Sequence, residues 1–125
     1  MRHSDLILVK RSQGRGRGVF ARAPIAAGTV IEKVPVLLLP REEIRGGARL
    51  SSLARFCFVR NRSTVALALG YGSLYNHSYT PNAQYEEEPG AMVFRALRPI
   101  EPGEEITINY NGDPDDPSPV GFPVR

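Results

Sequence analysis

The 125 residues, 42% hydrophobic and 23% charged with 12 glycines and 11 prolines, fit one globular domain rich in turns and poor in long helices, and exclude a disordered chain. The lone Cys57 excludes an internal disulfide framework or a zinc site of several thiolates, and the longest apolar stretch, residues 34–39 with Pro35 inside it, falls far short of the roughly 20 residues of a membrane-spanning helix. The net charge of +3 hides an asymmetry: residues 1–62 hold 13 basic against 4 acidic side chains and residues 63–125 hold 3 against 9, which reads as ordinary surface charge because folding interleaves the halves.

In chain order, residues 5–10 predict a short strand, whose apolar residues 6–9 are too few for the core of a signal peptide. Glycines at alternate positions, Gly14, Gly16 and Gly18, permit a tight turn and a hairpin back through residues 18–22. A turn follows at residues 24–28, and residues 29–39 are rich in the β-branched and aliphatic side chains of strands. Residues 41–55 predict one short helix interrupted at Gly46-Gly47. Residues 56–59 and 64–69 read as extended around a turn at 61–63, residues 84–88 and 92–97 as a hairpin closed by Pro89-Gly90, and residues 106–110 as the last strand. The Asn, Gly, Asp and Pro of residues 111–119 sustain neither ladder nor helix, so residues 121–125 are expected to hang on a stiff, acidic arm. The pattern is mainly β, built of many short strands.

Three segments carry chemistry. Gly14-Arg15-Gly16-Arg17-Gly18 lets main-chain groups approach a ligand closely, although a bare hairpin turn would use the same residues; it lacks the context of a dinucleotide fold and, lying between two strands, that of a flexible RNA-binding tail. Tyr75-Asn76-His77-Ser78-Tyr79-Thr80-Pro81-Asn82 is unusually dense in polar groups. His77 has the pKa range of a general base or metal ligand, but no cysteine or carboxylate accompanies it in the segment, so no metal site is expected. The asparagine amides both donate and accept, and so suit reading a polar ligand or tying crossing backbones together. Third, residues 103–110 form an alternating strand that delivers the phenol of Tyr110. Glu104 and Glu105, adjacent on that strand, point to opposite faces and cannot be the acid and base of a glycosidase.

In order and spacing, these segments resemble the SET domain of protein lysine methyltransferases. Gly16-Arg17-Gly18-Val19-Phe20 is similar to the Gly-x-Gly cofactor motif of that family, Asn76-His77-Ser78 with Pro81-Asn82 to its hallmark, and Gly103-Glu104-Glu105-Ile106-Thr107 with Tyr110 to its closing motif. The resemblance spans residues 5–112 and leaves residues 113–125 as a Pro- and Asp-rich arm. It implies small curved sheets with few short helices and a carboxy-terminal pseudoknot that sets Asn76 and His77 beside Tyr110. It also implies methyl transfer from S-adenosylmethionine to a lysine of a protein. Gly16, Arg17 and Gly18 would contact the cofactor through the main chain, Asn76 its amino-acid end, and the His77 main chain its adenine. Tyr110 would be the active-site tyrosine, and Tyr85 a channel tyrosine whose hydroxyl limits the product to one methyl group. Tyr71, Tyr75 and Tyr79 are further channel candidates, with core packing the better reading for at least two.

The chain also departs from that family. No cysteine follows Cys57, so the zinc module that often supplies a channel-closing aromatic is missing, and Phe122 on the acidic arm, or a second copy in a homodimer, would have to replace it. Lys33-Val34-Pro35 stands where many members have Tyr-x-Gly. The expected partner is a protein or peptide carrying a lysine, basic enough to be steered by Glu86-Glu87-Glu88 and Asp113, Asp115 and Asp116; neither membrane nor nucleic acid is expected. The competing readings are a non-catalytic peptide-binding module of the same fold and an Arg-rich nucleic-acid binder. The expected location is the cytoplasm for a bacterial source, and the nucleus or host chromatin for a eukaryotic or viral one.

Overall fold

The computed structural model describes residues 5–45 and 52–120. The chain opens with a hairpin of β1 (Ile7–Ser12) and β2 (Gly16–Ala21), paired from Ile7↔Ala21 to Ser12↔Gly16. Gly14 and Gly16, at φ 74° and 78°, make the reversal at its tip, a region of backbone space that side chains bearing a Cβ resist. The long strand β3 (Val30–Pro40) follows, then a one-turn helix α1 (Arg41–Arg45), a 3₁₀ turn at Ser52–Phe56, and the strands β4 (Cys57–Val59) and β5 (Thr64–Ala68). The remaining strands are β6 (Asn76–His77), β7 (Ala83–Glu88), β8 (Ala91–Ala96) and β9 (Glu105–Ile108).

The strands form two sheets, ordered β1-β2-β9-β6 and β4-β5-β3-β8-β7. β3 changes partner midway: Val30 to Pro35 pair with β8, and Val36 to Pro40 with β5. Pro35 sits at the changeover, where its missing N–H costs no ladder bond and its carbonyl accepts from the Leu69 N–H. Near its start β3 bulges, pairing Val30 with Arg95 but Glu32 with Phe94, so that β3 advances two residues while β8 advances one. Strand alternation therefore breaks, and the adjacent Ile31 and Glu32 are both buried. Ile31, Val34, Tyr75, Met92, Phe94, Ile100, Ile106 and Ile108 make the center of the core.

The last strand is an inner one. β9 runs antiparallel to β2 and parallel to β6, with Asn76 opposite Thr107 and His77 opposite Ile108. This insertion of the chain end between an early hairpin and a central segment is the expected pseudoknot of a mainly β fold, and it brings the three chemistry-bearing segments together.

Two expectations change in detail. Asn76 and His77, which no predicted strand included, form one, because β9 offers them a parallel partner only after the chain has threaded. Residues 113–118 do not project freely. The Asn109 amide donates to the carbonyls of Pro114 (3.3 Å) and Asp116 (2.8 Å), the Asn111 amide to Ser118 (2.8 Å), and the Tyr79 hydroxyl also to Ser118 (3.0 Å). A proline-rich segment keeps its carbonyl acceptors, and these side chains use them as a strap. Phe122 lies outside the described residues.

Candidate active site

Asn76 on β6 faces β2 and β9. Its Nδ2 donates to the Arg17 carbonyl (3.0 Å) and to Glu105 Oε2 (2.6 Å), joining all three expected motifs in one residue. Glu105 Oε1 in turn accepts from Ser12 Oγ (2.7 Å) and from the Arg15 guanidinium (3.1 Å). Gly18 lies against this cluster. A Cβ there would fall onto Glu105 Oε2 and stand 2.9 Å from Asn76 Nδ2, so the absence of a side chain is what admits the carboxylate. Gly16 serves differently, since its Cβ would meet open space and its positive φ is the constraint. Beside the cluster runs a polar groove of about 530 Å³, bordered by Ser12, Arg15, Phe20, Ser78, Glu105 and Thr107.

His77 is buried, and its Nδ1 accepts the Tyr110 backbone N–H (3.0 Å), which assigns the neutral tautomer with the proton on Nε2. Burial holds its pKa below the usual 6.5, and the positive charge of Arg15 adds to the effect. Tyr110 stands just past β9, in a turn closed by the Gly112 N–H on the Asn109 carbonyl, instead of on the strand itself. Its hydroxyl donates to the Tyr75 carbonyl at 2.6 Å. Burial pushes its phenol up to about 12, with Glu105 contributing in the same direction and Arg15 opposing. The Tyr85 hydroxyl donates to the Tyr110 carbonyl (3.3 Å), and its ring packs edge-on against Phe58, with centroids 4.7 Å apart. Burial, reinforced by Glu87, pushes this phenol up to about 12 as well.

The junction brings Arg17, Gly18, Asn76 and His77 together with Tyr110 and Tyr85, whereas Gly16 stays at the end of the first hairpin, paired with Ser12. Of the other tyrosines, Tyr75 is fully buried and stacked on Phe94 (4.3 Å, 17°), as core packing requires. Lys33 is an exposed residue paired with Glu88 (2.9 Å).

Glu105 was missed. The sequence placed it in the closing motif and in a rejected carboxylate pair but gave it no role, and that rejection stands: Glu104 turns instead to Arg98 (2.9 Å) and Asn82 (3.1 Å). Its partners Ser12 and Asn76 lie 93 and 29 positions away, and no local spacing signals such a contact. Asn82 takes the backbone-tying role open to these asparagines, donating to the Glu105 carbonyl (2.8 Å) and accepting from the Thr107 N–H (2.9 Å). Among the described residues, no three His, Cys, Asp or Glu side chains are grouped to hold a metal ion.

Comparison with known proteins agrees with this geometry. Residues 16–111 match the SET domain family. The chain is 35% identical over 104 residues to the histone-lysine N-methyltransferase, H3 lysine-37 specific, of Schizosaccharomyces pombe, covering 82% of this chain and 71% of that one. It is 31% identical over 121 residues to the histone-lysine N-methyltransferase ash1 of Drosophila melanogaster, covering 89% of this chain but only 5% of that much longer protein. The crystal structure of a candidate histone methyltransferase of Plasmodium falciparum superposes with a TM-score of 0.68 at 28% identity, covering 88% of this chain and 95% of that one. The chain therefore belongs to the SET-domain family of S-adenosylmethionine-dependent protein lysine methyltransferases.

Proposed function

We propose that this chain methylates a lysine side chain in a basic, histone-like protein or peptide, and that the junction described above is its active site. The observation that carries the reading is the direct bonding of the three motifs, Asn76 to Arg17 and Tyr110 to His77. The donor set fits S-adenosylmethionine. The Arg17 carbonyl, the Glu105 carboxylate and the Asn76 Oδ1, to which no described residue donates, suit the ammonium of the amino-acid end; the Arg15 guanidinium suits its carboxylate. The His77 main chain and the adjoining polar groove remain for the adenine.

When bound, the cofactor supplies a methyl group activated by its sulfonium. The protein then has to align a neutral amine with that methyl and exclude competing geometries. Tyr110 and Tyr85, both raised to about 12, stay protonated near neutrality, so neither is the base that removes the lysine proton. An apolar channel next to a positive charge disfavors the ammonium, and solvent takes the proton before transfer. Tyr110 then offers its oxygen as an acceptor, and Tyr85 restricts rotation of a methylated amine, which favors mono-methylation.

The test is calorimetric titration of the protein and of Asn76→Ala with S-adenosylmethionine, followed by radiolabelled transfer to histone tail peptides. Binding abolished in Asn76→Ala and transfer abolished in Tyr110→Phe are expected, with Tyr85→Phe shifting the product toward higher methylation by mass spectrometry. Cofactor binding without transfer to any lysine peptide would favor a non-catalytic peptide module.

A further inference from the structure

The structure assigns Glu32 the role of a positioning residue for Tyr110, acting through Tyr75; this rests on the reading of Tyr110 as the active-site tyrosine. Glu32 is a carboxylate in the apolar core, 6% exposed, where an aliphatic side chain would pack without desolvating a charge. The β3 bulge puts it there, by turning two successive side chains inward.

Both oxygens are used. Oε1 accepts from the Tyr75 hydroxyl (2.8 Å) and Oε2 from the Tyr71 backbone N–H (3.1 Å). Glu32 therefore holds, at two points four residues apart, the irregular segment that leads into β6. That segment is otherwise shaped by turns: the Gly72 N–H bonds the Leu69 carbonyl and the Leu74 N–H bonds the Tyr71 carbonyl. Tyr75 is clamped at its hydroxyl by Glu32 and on its ring by Phe94, so its own carbonyl has a set place. That carbonyl accepts the hydrogen bond of the Tyr110 hydroxyl at 2.6 Å. With its hydrogen so committed, the Tyr110 oxygen presents lone pairs to the channel, the polarity an amine donor requires. The same clamp sets the start of the strand bearing Asn76 and His77. One inward carboxylate, outside all three motifs, thereby orients the hydroxyl and phases the strand beside it.

The substitution Glu32→Gln keeps the shape but leaves one acceptor for two donors: the amide oxygen takes the Tyr71 N–H, which cannot turn, so the amide NH2 faces the Tyr75 hydroxyl and forces it to turn. With tyrosine labelled at ¹³Cζ and signals assigned by single Tyr→Phe variants, the Tyr110 resonance is expected to move in Glu32→Gln. In steady-state assays kcat is expected to fall about tenfold, with the peptide KM and the S-adenosylmethionine Kd within twofold of wild type. Val65→Ala, a core truncation in β5 away from the site, serves as the control for destabilization and is expected to keep both the Tyr110 resonance and kcat. Tyr75→Phe cuts the same link from the other side and replaces Glu32→Gln if that variant does not fold. An unmoved Tyr110 resonance, or a kcat loss no larger than that of Val65→Ala, overturns the assignment. If Tyr110→Phe itself leaves wild-type turnover, the active-site reading fails instead, and the resonance still decides whether Glu32 orients that hydroxyl.

Discussion

Substituting Gly18 by alanine tests the cofactor side of the junction. The new Cβ has to enter space held by the Glu105 carboxylate, whose oxygens accept from Ser12 (2.7 Å), Asn76 (2.6 Å) and Arg15 (3.1 Å). Moving the carboxylate breaks at least the Ser12 and Asn76 bonds, at about 1.5 kcal/mol each for a charged acceptor. A stiffer backbone in the strand returns about 0.5 to 1 kcal/mol. The net loss is about 2 to 2.5 kcal/mol, equivalent to a fall in Tm on the order of 10 °C for a domain of this size. Because the displaced Asn76 amide is also the proposed cofactor ligand, S-adenosylmethionine affinity is expected to drop on the order of tenfold, or roughly 1.4 kcal/mol. Gly16→Ala is the matched comparison: it strains a residue at φ 78° but meets nothing within 4 Å, so it is expected to cost about 1 kcal/mol and to lower affinity less than Gly18→Ala does. Thermal denaturation and calorimetry on both variants decide the matter. Equal Tm and equal affinity in the two would refute the argument that Gly18 is needed for the close approach of Glu105 and Asn76.

Two further outcomes are expected. Since burial lowers the His77 pKa below 6.5, the unfolded chain binds more protons between the two values; the contribution of neutral His77 to stability is full above about pH 6.5 and is lost as pH falls through the lowered value. Tm measured from pH 8 to 5.5 is expected to decline at the acid end and to do so less in His77→Gln, and identical profiles would contradict this origin. Asn109→Ala removes an amide that donates to Pro114 and Asp116 and accepts from the Asn111 N–H, so stability is expected to fall by about 2 to 3 kcal/mol. Hydrogen exchange should then rise in residues 113–118, and unchanged protection there would show that the strap is held by something else.

Local chemistry made much of this protein legible from its residues. Glycines at alternate positions marked the first hairpin, Pro89-Gly90 marked the β7–β8 turn, and β-branched and aliphatic side chains marked β3, because each depends on neighbors within a few positions. The three motifs pointed to the family, and through that resemblance to Asn76, His77 and Tyr110 as candidate site residues. What remained hidden depended on contacts between distant parts of the chain. The strand at Asn76 and His77 exists only because β9 threads beside it. Glu105 looked like half of a discarded acid pair until Ser12, Asn76 and the bare Gly18 surrounded it. Glu32 follows the inward Ile31, and only a register shift against β8 turns it inward as well, toward Tyr75 and, through it, toward the Tyr110 hydroxyl.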